Sequence, residues 1–309
     1  MADAGIERRV DIQIASSEDL MCGWLYPSQT FTASNPGAAI ILAHGLGGTK
    51  ELKLDVYADK FNQMGYTCVV FDYRCNGASE GLPRGLIDWN QQQDDWRSAI
   101  KYTRQLENVD PDQVGIFGTS FSGGHVMQIA ATDKRIRAVI SQCPFTDGWQ
   151  SSLCASTTTI PKLAGLGFLD LLFGTDKHPI NVSLFGKPGE AAFLNAPDVL
   201  STFMPLVPEG FPFQKTAPAR LALKLPFLRP GSYASTIECP ILFAICGNDS
   251  VAPADVTMAY AKETPKGVIK WYENVGHFEI YYGEPFEVAL RDYKAFLQEY
   301  LPIKGQGEA

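Results

Sequence analysis

Three side chains whose types suit attack on an acyl carbonyl stand far apart in this chain: Ser120, Asp249 and His277. A serine hydroxyl is a poor nucleophile near neutral pH. An imidazole must take its proton and later hand it to a leaving group. A carboxylate must fix the tautomer of that imidazole and stabilise its cation. The sequence holds these three types in the order Ser, Asp, His, with room for one helix and one strand between the last two. A fourth feature is His44-Gly45-Leu46-Gly47-Gly48, a glycine-rich turn after an apolar run. Its Leu46 N–H, with the N–H of Phe121, is expected to receive the negative charge that builds on a carbonyl oxygen. His44 is expected to brace that turn.

The elements around these residues follow from apolar patterning. Val114 to Phe117 reads as a buried strand after a turn at Asp110-Pro111, and Phe121 to Ala131 reads as a helix. The turn between them, Gly118-Thr119-Ser120-Phe121-Ser122-Gly123-Gly124, has the form of a nucleophile elbow, with Ser122 where the strict pattern has glycine. Val10 to Ala15 and Leu20 to Tyr26 read as an antiparallel hairpin. Ala38 to Ala43 is a continuous apolar run, as suits a strand buried on both faces; Thr67 to Phe71 and Ile241 to Cys246 read as further buried strands, and Ala138 to Ser141 and Val268 to Trp271 as strands. Helices are expected over Val56 to Met64, from Asp88 to about Leu106, after Pro253, and over Pro285 to Tyr300. Strands alternating with helices make a parallel, doubly wound sheet. In such a sheet the loops carrying Ser120, Asp249 and His277 gather at one end, where ligands bind.

The alternation breaks between Gly148 and Thr236. This stretch holds 10 of the 20 prolines and 8 of the 18 phenylalanines, too apolar for a disordered linker and too long for a plain loop. The expected division is a core of residues 1–147 and 237–309 with an inserted cap, or lid, of residues 148–236. Leu163 to Phe173 and Ala217 to Leu225 are its helix candidates. Lys215, Arg220, Lys224 and Arg229 form a locally basic stretch. A solvated helix face is favoured there over a dock for an acidic carrier protein or phosphate.

Each candidate has a plainer reading. Ser120 and Asp249 would only cap helices, His277 would lie on a surface loop, and the glycine turn would be only a turn. Four such features in chain order, each after a strand, favour a site. Asp147 is an alternative acid, though Asp249 is better placed. Asp72 and Arg74 are expected to pair with each other, and Cys75, Cys143 and Cys246 to pack. The four histidines lack metal-ligand spacing, so neither metal nor cofactor is expected. A net charge of −8 argues against a nucleic-acid partner. Seven cysteines without C-x-x-C, an N-terminus without an apolar signal core and no run of membrane-spanning length imply a cytoplasmic protein with free thiols. The last residues, Gly305 to Ala309, match no retrieval or lipidation signal.

Over most of its length the chain resembles the α/β-hydrolase superfamily. The resemblance rests on Ala43 to Gly48, Phe71-Asp72-Tyr73-Arg74, the Gly118–Gly124 elbow, Gly247-Asn248-Asp249 and Gly276-His277-Phe278-Glu279-Ile280-Tyr281. Within it the chain is similar to dienelactone-hydrolase-like and X-Pro-dipeptidyl-peptidase-like enzymes. The elbow and the His-Phe-Glu-Ile-Tyr-Tyr-Gly segment resemble fungal thiohydrolases and acyl transferases of polyketide clusters. That resemblance implies an α/β-hydrolase fold and a serine hydrolase acting through an acyl-enzyme on Ser120. The substrate implied is an apolar acyl thioester or ester, free or carrier-bound, with polyketide chain release as the role. The alternatives are a polyketide acyltransferase using an alcohol acceptor and a non-catalytic ligand-binding protein of the same fold. A peptidase fits less well, because no acid cluster stands ready for a substrate amine.

Overall fold

The computed structural model describes residues 9–303; the N-terminal stretch and the Gly305–Ala309 segment discussed above lie outside them. The chain begins with β1 (Val10–Ser16), β2 (Asp19–Tyr26), β3 (Gly37–Ala43), α1 (Leu54–Gln63), β4 (Thr67–Phe71) and α2 (Trp89–Arg104). It continues through β5 (Val109–Thr119), α3 (Phe121–Thr132) and β6 (Ile136–Gln142). Next come α4 (Gly148–Leu153), α5 (Thr159–Phe173), β7 (Asn181–Phe185), β8 (Ala192–Leu194), α6 (Val199–Phe203), β9 (Thr216–Pro218) and α7 (Leu221–Lys224). The last elements are β10 (Ile241–Cys246), α8 (Ala254–Glu263), β11 (Gly267–Tyr272) and α9 (Gly283–Tyr300).

Eight strands form one sheet in the order β1-β2-β4-β3-β5-β6-β10-β11. The β1–β2 and β2–β4 pairs are antiparallel, and the remaining pairs are parallel. The four central runs, β3, β4, β6 and β10, are buried almost throughout, which is why their sequences do not alternate. One core layer packs α1 and α9 on the sheet through Tyr57, Phe61, Phe286 and Tyr293. The other packs α2, α3 and α8 through Trp96, Ile100, Val126, Ile129 and Ala261.

Asp110 and Pro111 belong to β5 rather than to a turn before it. The extension starts at Val109, which pairs with Gly37, and irregular register brings Val114 back beside Ala39. Among the described residues, 148–236 adds no strand to the large sheet. It forms its own three-stranded sheet, β8-β7-β9, over the carboxyl ends of the large sheet's strands, with Gly47 of the glycine turn against Leu184 of β7. Leu163 to Phe173 lies in α5, as expected. Ala217 to Leu225 does not make one helix. Its start pairs with β7 as β9, only Leu221–Lys224 is α-helical, and Leu225 opens a 3-10 turn.

The ion pairs also differ from expectation. Asp72 does not meet Arg74. Its carboxylate, fully buried, takes the Lys50 ammonium at 2.7 Å and the Lys50 N–H at 2.7 Å. Arg74 instead pairs with Asp95 of α2, whose carboxylate also accepts from Ser16 and from the Arg74 N–H. Three of the four basic residues of the 215–229 stretch meet acids rather than standing free. Arg220 is held by two hydrogen bonds to buried Asp170 of α5, Lys224 meets Asp88 at 2.7 Å, and Arg229 lies 3.7 Å from Asp147. These acids come from outside the segment, so its own charge count misled.

Removing one partner of a buried pair leaves the other charge without compensation, at a cost of about 3–5 kcal/mol. Asp95→Ala is therefore expected to lower unfolding stability in urea by that order at pH 7, because Arg74 is buried beside it. A loss below about 1 kcal/mol would contradict this role.

Candidate active site

β5 ends at Thr119 and α3 begins at Phe121, so Ser120 alone makes the turn. Its backbone sits at φ 56° and ψ −119°, outside the ordinary regions for a residue with a side chain. The neighbours explain why this turn closes. A Cβ on Gly118 would lie 2.2 Å from the Ser122 carbonyl oxygen, and one on Gly45 would lie 2.7 Å from the Ser120 Cβ. Backbones approach so closely here that only glycine fits at those two places. Ser122, the residue that departs from the strict elbow pattern, has a use for its hydroxyl. Its Oγ lies 2.7 Å from the Tyr73 hydroxyl, which itself accepts from the Trp96 indole N–H.

The structure brings the three predicted side chains into one chain of contacts. Ser120 Oγ lies 2.8 Å from His277 Nε2, and His277 Nδ1 lies 2.7 Å from Asp249 Oδ2. A carboxylate can only accept, so the Nδ1 proton faces Asp249 and Nε2 is left to accept from the serine. Asp249 is fixed from its other oxygen by the Val251 and Ala252 N–H groups, at 2.8 and 2.7 Å. Burial pulls the His277 imidazolium down, but the Asp249 carboxylate, with Cys143 and Asp198 adding to it, raises the group above its ordinary value of 6.5. Ser250 donates to Asp198 of the 148–236 segment at 3.0 Å and so ties that segment to the acid's loop.

Leu46 and Phe121 flank Ser120 on the wall of one cavity. Among the described residues neither N–H has a protein acceptor: Phe121 opens a helix, and Leu46 lies in the glycine turn. The turn is held by buried groups. His44 Nε2 lies 2.6 Å from the Leu52 carbonyl, and burial lowers this histidine to about 4, so it is a neutral donor. The Lys50–Asp72 pair anchors the residues just beyond.

Asp147 is not placed to serve His277. It caps α4 by accepting from the Gln150 N–H and meets the Tyr260 hydroxyl. The seven cysteines are free. Cys143 and Cys246 are buried beside the site. Burial raises the Cys143 thiol, while a hydrogen bond with Cys246 and the His277 charge bring it down to about 7.

Sequence reading missed a polar network under the elbow. Gln142, the last residue of β6, donates to Thr119 at 3.0 Å and accepts from Tyr57 and Tyr293 at 2.8 Å each. Thr119 meets the Tyr281 hydroxyl in a short contact. Gln142 also accepts the Ser120 N–H through its carbonyl at 2.8 Å. The only signal for it was the polar Ser141-Gln142 pair that closes β6.

The cavity beside Ser120 measures about 410 Å³, within the range of sites for small organic ligands. Its wall carries no ionisable side chain. Phe145, Leu163, Phe193, Leu223 and Leu225 dominate it, and most of these come from the 148–236 segment.

The family model for X-Pro dipeptidyl-peptidase (S15 family) matches residues 24–179, just over half the chain. A quorum-quenching protein, AidA of Acinetobacter baumannii strain MDR-ZJ06, is 44% identical over 296 residues, covering 96% of each chain. The thiohydrolase aneE of Aspergillus aculeatus is 26% identical over 290 residues, covering 87% of each. Among solved structures, the α/β hydrolase GrgF of Penicillium sp. sh18 superposes with a TM-score of 0.79 at 23% identity, over 95% of this chain and 99% of that one. That likeness establishes the α/β-hydrolase fold. With half its length in the family model and a close relative matched end to end, the chain belongs to the X-Pro dipeptidyl-peptidase (S15) family and is an enzyme of esterase or acyltransferase type.

Proposed function

We propose that this enzyme hydrolyses an acyl ester or thioester with an apolar acyl chain through an acyl-enzyme on Ser120. The observation that carries the reading is the Ser120–His277–Asp249 chain of hydrogen bonds opening onto an apolar, uncharged cavity. Ser120 Oγ attacks the carbonyl carbon as its proton passes to His277 Nε2. Asp249 stabilises the imidazolium. The carbonyl oxygen, now negative, accepts from the Leu46 and Phe121 N–H groups. One such donor is typically worth about 2.7–4 kcal/mol in the transition state. His277 then protonates the leaving thiol or alcohol. Water, deprotonated by the same histidine, releases the acid and restores Ser120.

The 148–236 segment acts as the cap that forms most of the acyl pocket. Peptide substrates fit poorly, since no carboxylate lines the cavity to meet a substrate amine. Two readings of the biological substrate draw on relatives. The quorum-quenching name of the 44% identical protein supports a signalling molecule as substrate, and the apolar cavity supports an acyl chain on it. Names such as thiohydrolase and polyketide transferase support polyketide chain release, or acyl transfer to an alcohol. The end-to-end match of the first favours signal breakdown.

Burying a methylene is worth about 0.8 kcal/mol. With a panel of acyl esters, acyl thioesters and acylated lactones, kcat/KM is expected to rise roughly two- to fourfold per methylene from acetyl toward octanoyl. Leu163→Trp, which fills the cavity, is expected to remove most of the octanoyl advantage and leave acetyl turnover within about twofold. A flat chain-length profile in the wild type would refute the pocket assignment. Adding an alcohol acceptor separates hydrolysis from transfer by the product formed.

His277 must be neutral to accept the serine proton. Activity is therefore expected to fall as pH drops through its raised value, giving an acid limb of kcat/KM centred above 6.5. Asp249→Asn removes the main raising charge, so its residual activity is expected to show that limb at lower pH. A wild-type limb at or below 6.5 would contradict the role given to Asp249.

A further inference from the structure

The outer face of α5 is turned the wrong way for a helix on a protein surface. Its inward side carries half-buried Leu163 and Leu166, packed against the cluster around Val182, Leu184 and Leu221, together with buried Thr159, Gly167 and Asp170. Its outward ridge, by helical spacing, is Pro161, Gly165, Phe168 and Leu172, flanked by Leu169 and Leu171. Leu172 and Phe173 are each 70% exposed, and Phe227 beside the cavity mouth is 81% exposed. Lys162, the one exposed charge on this helix, reaches sideways to the Gly189 carbonyl. A helix apolar on both sides is normally buried on both.

The exposed apolar side chains of α4, α5 and Phe227 are joined around one cavity mouth, where Trp149, Ile160, Phe168 and Phe227 are both rim and surface. At about 150–250 Å² per large side chain, they leave on the order of 1,000 Å² of apolar surface exposed. A monomer's largest apolar patch is typically about 300–600 Å². A stable interface takes about 800 Å² from each partner.

We propose that this face is the interface for a second copy of the chain, α5 packing on α5 across a two-fold axis. A two-fold contact needs a self-complementary patch, and an uncharged apolar ridge is one. Gly165 supplies the notch: a Cβ there would meet nothing within 4 Å, so a partner's side chain can seat over it. A lipid surface fits less well. Anionic headgroups call for free cations around the patch, and Arg220, Lys224 and Arg229 already face Asp170, Asp88 and Asp147. Because Phe168 and Phe227 belong to both rim and interface, dimerisation also narrows the entrance to the acyl cavity.

Sedimentation velocity of the full chain, from about 1 to 100 µM, tests this independently of the catalytic reading. The wild type is expected to sediment at twice the monomer mass. Leu169→Glu with Leu172→Glu, outside the cavity wall, is expected to sediment as a monomer, with an unchanged circular dichroism spectrum and retained turnover of a short ester. Leu82→Glu, at an exposed apolar residue elsewhere, is expected to remain dimeric. A wild type monomeric throughout that range would overturn the proposal, as would a dimer that survives the double substitution. Monomeric wild type that floats with phosphatidylglycerol vesicles, where the double variant does not, would assign the face to lipid instead.

Discussion

The conformation of Ser120 is the constraint around which the site is built. A non-glycine residue at φ 56°, ψ −119° costs on the order of 1–3 kcal/mol and persists only where its surroundings leave no alternative. The surroundings here are specific. The Ser120 N–H is taken by the Gln142 carbonyl, and the Ser120 carbonyl accepts from the Phe145 N–H. Gly118 and Gly45 let neighbouring backbones close in. Behind the turn, Gln142 meets Thr119, Tyr57 and Tyr293, so the strand end cannot relax without breaking a buried network. The hydroxyl is thereby presented to His277, with Phe121 at the start of α3 on the wall of the same cavity.

The loops that complete the site are held by different means. The glycine turn at 44–48 is fixed by neutral His44 inside the fold and by the buried Lys50–Asp72 pair just after it. Asp249 is held by two backbone donors, which fix its orientation without adding a second charge. Glu279 accepts the Gly276 N–H and steadies the histidine loop. The Ser250–Asp198 contact then couples the acid's loop to the segment that walls the cavity. A displacement of that segment therefore bears on both pocket shape and the position of Asp249.

Much of this was legible in the sequence because it depends on local pattern. Strands buried on both faces, such as β3 and β10, read as unbroken apolar runs, and Ser120, Asp249 and His277 each stand in the loop after a strand. Asp88 was legible as a cap, and it accepts from the Asn90 and Gln91 N–H groups. What escaped reading depends on partners distant in the chain. Asp72 and Arg74 are two residues apart and look paired, yet their partners are Lys50, just after the glycine turn, and Asp95 of α2. Arg220 and Lys224 looked like a free basic face because Asp170 and Asp88 lie outside the stretch. The strands β7, β8 and β9 are only three to five residues long, too short for alternation to register, and β9 ends in proline. Ser122 read as a weakened elbow, although a distant tyrosine gives its hydroxyl a partner.

The central claim is that the elbow serine carries the acyl group. Intact-protein mass spectrometry after brief mixing with a medium-chain acyl thioester, followed by peptide mapping, tests it most directly. The account requires a transient adduct of acyl mass on the peptide containing Ser120, absent in Ser120→Ala and slow to form in His277→Ala. Turnover of the same thioester by Ser120→Ala at the wild-type rate, or an adduct mapping to Cys143 or another residue, would contradict it.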